Sequence, residues 1–163
     1  MRIRHLQLVH DRQEHTTGSV GALTVAFATG DQRHVDQHFG LASTFARYSI
    51  SLNGWKLLGL SAITETVETS AGDRITPRVA ALEGCIALYC NAIGGPAVRR
   101  LLQARIQPRK VAAGTPIEAV LEELRSQLAA EQPPAWLARA QRSQRDLERH
   151  LDALEAEGWT GGY

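Results

Sequence analysis

The sequence lacks a dominant charge, a long apolar run and an apolar leader. Its 163 residues carry 18 basic and 17 acidic side chains, which leaves a formal net charge of +1. A dedicated nucleic-acid-binding domain would be strongly basic, so that class is disfavoured. No run of about 18 apolar residues occurs, so no membrane span is predicted. The N-terminus has no apolar signal-peptide core, and the chain is therefore predicted to be cytoplasmic.

Cysteine is also scarce. The two cysteines, Cys85 and Cys90, lie five positions apart in one predicted strand. Neighbouring positions on a strand cannot easily form a disulfide, so two free thiols in a reducing compartment are expected.

Signatures of catalysis are missing as well. The sequence has no Gly-rich dinucleotide or phosphate loop, no Cys-x-x-Cys pair and no nucleophile elbow. A two-metal nuclease needs carboxylates on its central strands, whereas the first apolar strand has none. No activated nucleophile or acid–base pair is visible, so the chain is predicted not to be an enzyme.

Apolar patterning predicts strands and helices in the order β-β-β-α-β-α-β-α, followed by a C-terminal helix. This order implies an α/β fold with a five-stranded mixed sheet flanked by helices. The strands that start at Leu23 and Cys85 are the most apolar and are expected to be central neighbours. The predicted strands cover residues 23–29, 44–50, 55–63, 85–90 and 109–112, with a hairpin at Asn53-Gly54.

Proline and capping residues predict where the helices begin. A helix starts between Asp73 and Pro77, and a second opens at Pro96. The segment Thr115-Pro-Ile-Glu118 reads as a capping box that launches a third. We divide the chain into a flexible arm (1–20), a cofactor-binding α/β domain (21–130) and a helical extension (131–163).

The best candidate ligand is His38, in a polar loop that follows the first strand. Such an imidazole either binds a metal or only hydrogen-bonds within its turn. In an open α/β sheet, ligands bind outside the carboxyl ends of the strands. If the two central strands are parallel neighbours, the loops at residues 30–40 and 90–95 line one crevice. His38, and with it His34, would then lie near Cys90.

The turn after the fourth strand offers an anion site. Gly94 and Gly95 precede a helix whose first N–H groups are free to bind an anion. Arg99 and Arg100 either face solvent or help to neutralise that anion. Cys90 is either a ligand or a small buried hydrophobic residue, and a core role is expected for Cys85.

Three segments carry a family resemblance. Residues 25–40 combine Val-Ala-Phe-Ala-Thr, Asp31 and Val-Asp-Gln-His-Phe-Gly, and residues 84–95 read Gly-Cys-Ile-Ala-Leu-Tyr-Cys-Asn-Ala-Ile-Gly-Gly. Together they resemble the NifX/NifY/NafY family of nitrogenase cofactor proteins. The segment Pro-Ala-Trp-Leu-Ala-Arg-Ala at residues 134–140 resembles the NifX branch in particular.

The resemblance implies a ribonuclease H-like fold without nuclease activity. It also implies binding of iron–molybdenum cofactor, or of its iron–sulfur precursor, during nitrogenase maturation. In this family the His of His-Phe-Gly is associated with cofactor binding, and it corresponds here to His38. The short N-terminal arm favours the NifX branch, with molybdenum-free precursor as cargo.

We therefore predict a carrier that passes the cluster from the precursor synthase to the assembly scaffold, with His38 as metal ligand. Few protein ligands suit a carrier, because a fully ligated cluster would leave slowly. The alternative is an interaction protein that chaperones a nitrogenase component, apo-nitrogenase included, through the helix at residues 136–154 and holds no cluster itself.

Overall fold

The computed structural model describes residues 21–63 and 73–158. The predicted N-terminal arm, with His5, His10 and His15, lies outside the described residues. So do the polar stretch at residues 64–72 and the chain end at residues 159–163.

A five-stranded mixed sheet forms the centre of the protein. Its strands follow the spatial order β4-β3-β1-β5-β6, and β2 and β7 form a separate two-stranded ladder. β1 pairs antiparallel with β3 and parallel with β5, which confirms that the two most apolar strands are central neighbours. The strands are β1 (Leu23–Ala28), β2 (His34–Val35), β3 (Thr44–Ser51), β4 (Gly54–Ala62), β5 (Ala87–Cys90), β6 (Gln107–Lys110) and β7 (Thr115–Pro116).

Helices cover both faces of the sheet. They are α1 (Ile75–Ala80), α2 (Gly95–Gln103), α3 (Ile117–Ala129) and α4 (Ala135–Ala156), with a 3-10 turn at Phe39–Leu41. Within the described ranges, no helix has the length and apolar character needed to cross a membrane.

The sheet separates two hydrophobic cores. Phe27 and Val35 pack on one face with apolar residues of α3 and with Leu137 of α4. Phe39 and Leu88 pack on the other with Leu101 of α2. Since β1 and β5 are covered on both sides, their continuous apolar sequences are explained.

The hairpin predicted at Asn53-Gly54 is present, with a small shift. Ser51 pairs with Gly54, so Leu52 and Asn53 form the tip. Gly54 has a φ of +136°, which a residue with a side chain rarely adopts.

Three predicted boundaries are wrong. The strand predicted at residues 85–90 begins at Ala87, where its ladder with β1 starts, so Cys85 precedes it. The strand predicted at residues 109–112 lies at Gln107–Lys110, because its pairing with Ala87–Cys90 sets the register. Thr115 does not cap α3, since its Oγ1 donates to the carbonyl oxygen of Ala112 at 2.6 Å. Thr115 is held in β7, and Pro116 occupies the N-cap position without a side-chain hydrogen bond.

The C-terminal helix packs on the domain through its first turn. Leu137 is fully buried in the core beside α3. Farther along, Leu147 and Leu151 are 53% and 49% exposed. The described residues therefore cover the apolar side chains of this helix at its start and only in part farther along.

Candidate functional site

The loop at residues 30–40 crosses the carboxyl-end edge of the sheet. It leaves β1 at Ala28, whose carbonyl oxygen accepts the N–H of Asp36 at 3.3 Å. Val35 enters the core beside α3, whereas Phe39 enters the core on the opposite face. The loop is therefore anchored at both sides of the sheet.

Two aspartates fix the shape of this loop. Asp31 Oδ1 accepts the N–H groups of Arg33 and His34, both at 2.8 Å, and the hydroxyl of Thr29 at 3.2 Å. Asp36 Oδ1 accepts the N–H of Gly30 at 2.8 Å. Both carboxylates thus accept hydrogen bonds from main-chain donors and have a structural role in the loop.

His34 is oriented by Asp31. Its Nδ1 lies 2.7 Å from Asp31 Oδ2. The hydrogen bond with the His34 side chain, followed by those from the main-chain N–H groups of Arg33 and His34, lowers the pKa of Asp31 well below its ordinary value of 3.8. β2 places His34 beside Pro116 of β7. A cleft of about 350 Å³ adjoins it, lined also by Tyr48 and Glu118. His34 therefore lies at the start of α3, on the other side of the sheet from the core that contains Cys90, whereas the sequence predicted it near Cys90.

Replacing Asp31 with Asn should destabilise the protein in a pH-dependent way. The lowered pKa means that the ionised carboxylate stabilises the fold above 3.8, its unfolded value, and that this stability is lost as the pH falls below it. We expect Asp31→Asn to lower the free energy of unfolding at neutral pH, and the gap to wild type to close in acid. Urea unfolding of both proteins at neutral pH and below pH 3.8 measures the difference in their free energies of unfolding. A difference that does not change with pH would contradict a stabilising role for the Asp31 carboxylate.

His38 lies where this loop meets the turn after β5. Its backbone forms a parallel bridge with Ala92, and the N–H of Phe39 donates to the Ala92 carbonyl oxygen at 2.9 Å. The N–H of Asn91 donates to the carbonyl oxygen of Gln37 at 3.0 Å. The imidazole itself is exposed. The structure therefore brings the two predicted loops together and leaves His38 open to solvent between them.

Asn91 joins three segments, a role that the sequence did not reveal. Its side-chain amide donates to the carbonyl oxygen of Val35 at 2.7 Å and to that of Val111 at 3.4 Å. The first contact spans 56 sequence positions, so no local pattern could have indicated it.

The start of α2 adds positive charge and free N–H groups. Gly94 is the N-cap and Gly95 the first helical residue, with Pro96 next. The side chain of Arg99 folds back toward Gly95. Its guanidinium Nη1 would lie 3.9 Å from a Cβ atom built on that glycine. Arg100 donates to the hydroxyl of Thr76 at 3.2 Å. Both arginines are exposed.

A third arginine, Arg74, was missed by the sequence analysis. Its guanidinium donates to the carbonyl oxygen of Gly40 at 3.4 Å, two residues after His38. α1 packs against both α2 and the 3-10 turn, so Arg74, Arg99 and Arg100 flank the loop that carries His38. We call these three residues the arginine cluster. Only tertiary packing brings Arg74 to the other two, which are neighbours in sequence.

Cys90 is not exposed in this arrangement. The residue is fully buried in the core that also contains Phe39 and Ala97. Burial raises the pKa of its thiol to about 11. Cys85 is buried as well, its pKa is also raised to about 11 by burial, and both thiols are free.

Both thiols should therefore react slowly with alkylating agents. At pH 8 the thiolate fraction of a thiol of pKa about 11 is on the order of a hundredfold smaller than that of an ordinary cysteine. We expect iodoacetamide to modify the native protein slowly and the urea-unfolded protein rapidly, as mass spectrometry would show. Rapid modification of native Cys90 would mean that the thiol leaves the core readily.

The described ranges, 21–63 and 73–158, contain no cluster of three or more His, Cys, Asp or Glu residues that could hold a metal ion by itself. What the edge offers is one exposed imidazole, cationic side chains and helix N–H groups. This set suits an anionic ligand that brings its own metal.

Comparison with known proteins assigns the family. The sequence profile described as "Dinitrogenase iron-molybdenum cofactor" matches residues 21–127, about two thirds of the chain. The chain belongs to this family. The matched segment contains the loop of His38, the turn of Gly94 and Gly95, and the arginine cluster.

Individual relatives agree with this assignment. Protein NifX of Azotobacter vinelandii is 38% identical over 157 residues, covering 96% of each chain. Protein NifX of Sinorhizobium fredii is 38% identical over 141 residues, covering 83% of this chain and 86% of that protein. The FeMo cofactor biosynthesis protein NifB of Bradyrhizobium diazoefficiens is 31% identical over 96 residues, 56% of this chain and 19% of that longer protein.

Proposed function

We propose that this protein binds and carries iron–molybdenum cofactor, or its molybdenum-free iron–sulfur precursor, during nitrogenase cofactor biosynthesis. The observation that carries the proposal is the position of His38, which is exposed on an anchored loop that contacts Arg74 and meets the turn leading into α2. Family membership supports the nature of the cargo.

The chemistry of the cargo fits these groups. A metal–sulfur cluster with net negative charge is stabilised by an imidazole or thiolate ligand, by N–H donors to its sulfides and by nearby cations. His38 supplies the imidazole. The first turn of α2 supplies N–H groups without acceptors inside the helix, and Arg74, Arg99 and Arg100 supply the charge.

Transient binding follows from the small number of ligands. Cys90 would have to leave the core and lose its proton before it could ligate, so we assign ligation to His38. His34 lies beside the start of α3 and is not needed in this scheme. A site with one protein ligand releases its cluster more readily than a four-cysteine site, which suits a carrier that performs no catalysis.

We also propose which proteins exchange the cluster with this one, the compartment in which it acts and the type of its sheet. The precursor synthase would deliver the cluster and the assembly scaffold would receive it. The free thiols suit a reducing cytoplasm. We further propose that the mixed sheet is of the ribonuclease H-like type that the family resemblance implies.

The electrostatic part can be tested by charge reversal. The double variant Arg99→Glu, Arg100→Glu should bind the isolated precursor at least about tenfold more weakly than wild type, equivalent to about 1.4 kcal/mol. Anaerobic titration followed by the visible absorption of the cluster measures this. The weakened binding should be partly restored at high salt, because salt screens the repulsion between the introduced carboxylates and the anionic cluster.

A matched control reverses two exposed arginines far along the chain. The variant Arg142→Glu, Arg145→Glu changes the net charge by the same amount on α4. It should bind the cluster like wild type. Equal losses in both double variants would show that overall charge matters and not the arginine cluster. Normal binding by Arg99→Glu, Arg100→Glu would refute a role for these two side chains.

The exposed leucines of α4 favour a second candidate function. Leu147 and Leu151 are about half exposed on the same helix, and Leu102 of α2 is 50% exposed. An interaction protein could use this surface to chaperone a nitrogenase component without holding a cluster. A colourless protein that never takes up the cluster, yet co-purifies with the scaffold or with apo-nitrogenase, would support this function and contradict the carrier.

A further inference from the structure

A second polar cleft lies between the edge strand β6 and helix α3, on the opposite face of the sheet from the core of Cys90. Its volume is about 280 Å³. Apolar side chains form much of its wall, and polar groups from four elements, β5, β6, β7 and α3, reach it. The lining includes Tyr89, Arg109, Thr115, Glu123 and Gln127.

Arg109 is held in place beside this cleft. Its guanidinium carbon lies 5.2 Å from the ring centroid of Trp136, a cation–π contact from the first turn of α4. Arg109 is half-buried, and its Nε is a buried donor without an acceptor among the described residues. Protein atoms cover this nitrogen, so a ligand in the cleft would meet the terminal nitrogens of the guanidinium group, which form charge-assisted hydrogen bonds with anions.

Tyr89 forms the deep end of the cleft. The residue is 5% exposed, and its ring stacks on Phe27 with centroids 5.1 Å apart. Burial raises the pKa of the hydroxyl to about 12, although the neighbouring Arg109 opposes the shift. The phenol is thus a neutral donor next to a fixed cation. Both groups favour a carboxylate.

The opposite wall carries an acceptor. Glu123 is exposed on α3, near enough to Tyr89 for its charge to contribute to the raised pKa. Among the described residues, Glu123 and Arg109 form no ion pair within 4.0 Å, although both line the same cleft. A half-buried cation and an unpaired carboxylate therefore face one small volume.

We propose that this cleft binds a small amino-acid-like zwitterion, with its carboxylate on Arg109 and Tyr89 and its ammonium group at Glu123. The carboxylate satisfies the donors at the deep end, and the ammonium group meets the acceptor at the mouth. A cleft of 280 Å³ has the volume of roughly nine water molecules at about 30 Å³ each, which limits the ligand to a short-chain compound.

The proposal is independent of the cluster, so its test needs none. We would titrate the intact apoprotein calorimetrically with glycine, β-alanine, γ-aminobutyrate and δ-aminovalerate, which differ in the separation of their charges. Butyrate, butylamine and inorganic phosphate, which each carry charge of one sign only, are the control probes. One amino acid of the series should bind at least about tenfold tighter than each of these three, or about 1.4 kcal/mol.

Three variants assign the contacts. Arg109→Met should weaken binding of the amino acid and of butyrate at least tenfold. Glu123→Gln should remove the preference for the amino acid over butyrate, and it is expected to fold because the side chain is exposed. Glu122→Gln, at the preceding position on α3, should leave the affinities for the amino acid and for butyrate unchanged. Circular dichroism checks that Arg109→Met is folded.

Several results would overturn the inference. Wild-type protein that binds no member of the series would refute it outright. Equal affinity for butyrate or phosphate would reduce the cleft to a general anion site. An unchanged preference in Glu123→Gln would remove the ammonium contact and, with it, the zwitterion.

Discussion

Replacing His38 with Ala should abolish most of the cluster binding. His38 is the one protein ligand in our proposal, so its loss leaves only N–H donors and arginine charge. Removing a residue that only hydrogen-bonds to a metal ligand lowers metal affinity about 10- to 100-fold. Removing the ligand itself should lower the affinity at least as much. Anaerobic titration of the variant with isolated precursor measures the loss. The exposed side chain has little to contribute to stability, so the variant should remain folded.

His150 provides a matched control. It is an exposed histidine on α4, and His150→Ala should bind like wild type. His34→Ala tests the other imidazole of the loop and should cost less than His38→Ala, because His34 is engaged with Asp31 on the side of α3. Undiminished binding by His38→Ala would remove this residue from the proposal, and a larger loss in His34→Ala would transfer the role.

Replacing Phe39 with Ala should give the largest loss of stability among residues of the site. Phe39 is 1% exposed and stacks with Phe45 at a centroid distance of 6.0 Å. Truncating a fully buried Phe to Ala costs about 3–5 kcal/mol, because apolar contacts are lost and a cavity remains. Urea unfolding measures this cost. The same change should also weaken cluster binding, since Phe39 fixes the backbone next to His38.

The variant Leu124→Ala is a control that separates the effect of lost stability from the effect of losing the Phe39 anchor. Leu124 is 1% exposed in the other core, on α3, and its truncation should cost about 2–5 kcal/mol. Its core includes Val35 of the loop but not Phe39, the residue next to His38. We therefore expect near-normal cluster binding by folded Leu124→Ala and weakened binding by folded Phe39→Ala. Equal weakening in both variants would show that general destabilisation, and not the anchor, explains the effect.

The sequence determined the central architecture. Continuous apolar runs at residues 23–29 and 85–90 indicated strands covered on both faces, and their parallel pairing is confirmed. Pro96 and its preceding glycines marked the start of α2, which begins at Gly95. These features are local, because composition and proline geometry act within a few residues. The family likewise followed from motifs that are continuous in sequence.

Local patterns misplaced the features that depend on pairing. Thr115 was predicted to be a helix cap, but it lies in β7 and pairs with Val35 of β2. β6 lies two residues earlier than predicted, because its parallel ladder with β5 and not its own composition sets its position. The intrinsic preference of a residue for helix or strand contributes less free energy than the ladder hydrogen bonds and core contacts that override it.

Only the tertiary structure decided which groups share the edge of the sheet. His38 and Cys90 both belonged to the predicted crevice, yet the bridge to Ala92 leaves His38 exposed while the pleat of β5 turns Cys90 into the core. Arg74 reaches Gly40 across 34 sequence positions, and Asn91 reaches Val35 across 56. Such contacts depend on strand register and helix packing over the whole domain, and these are properties that no short stretch of sequence encodes.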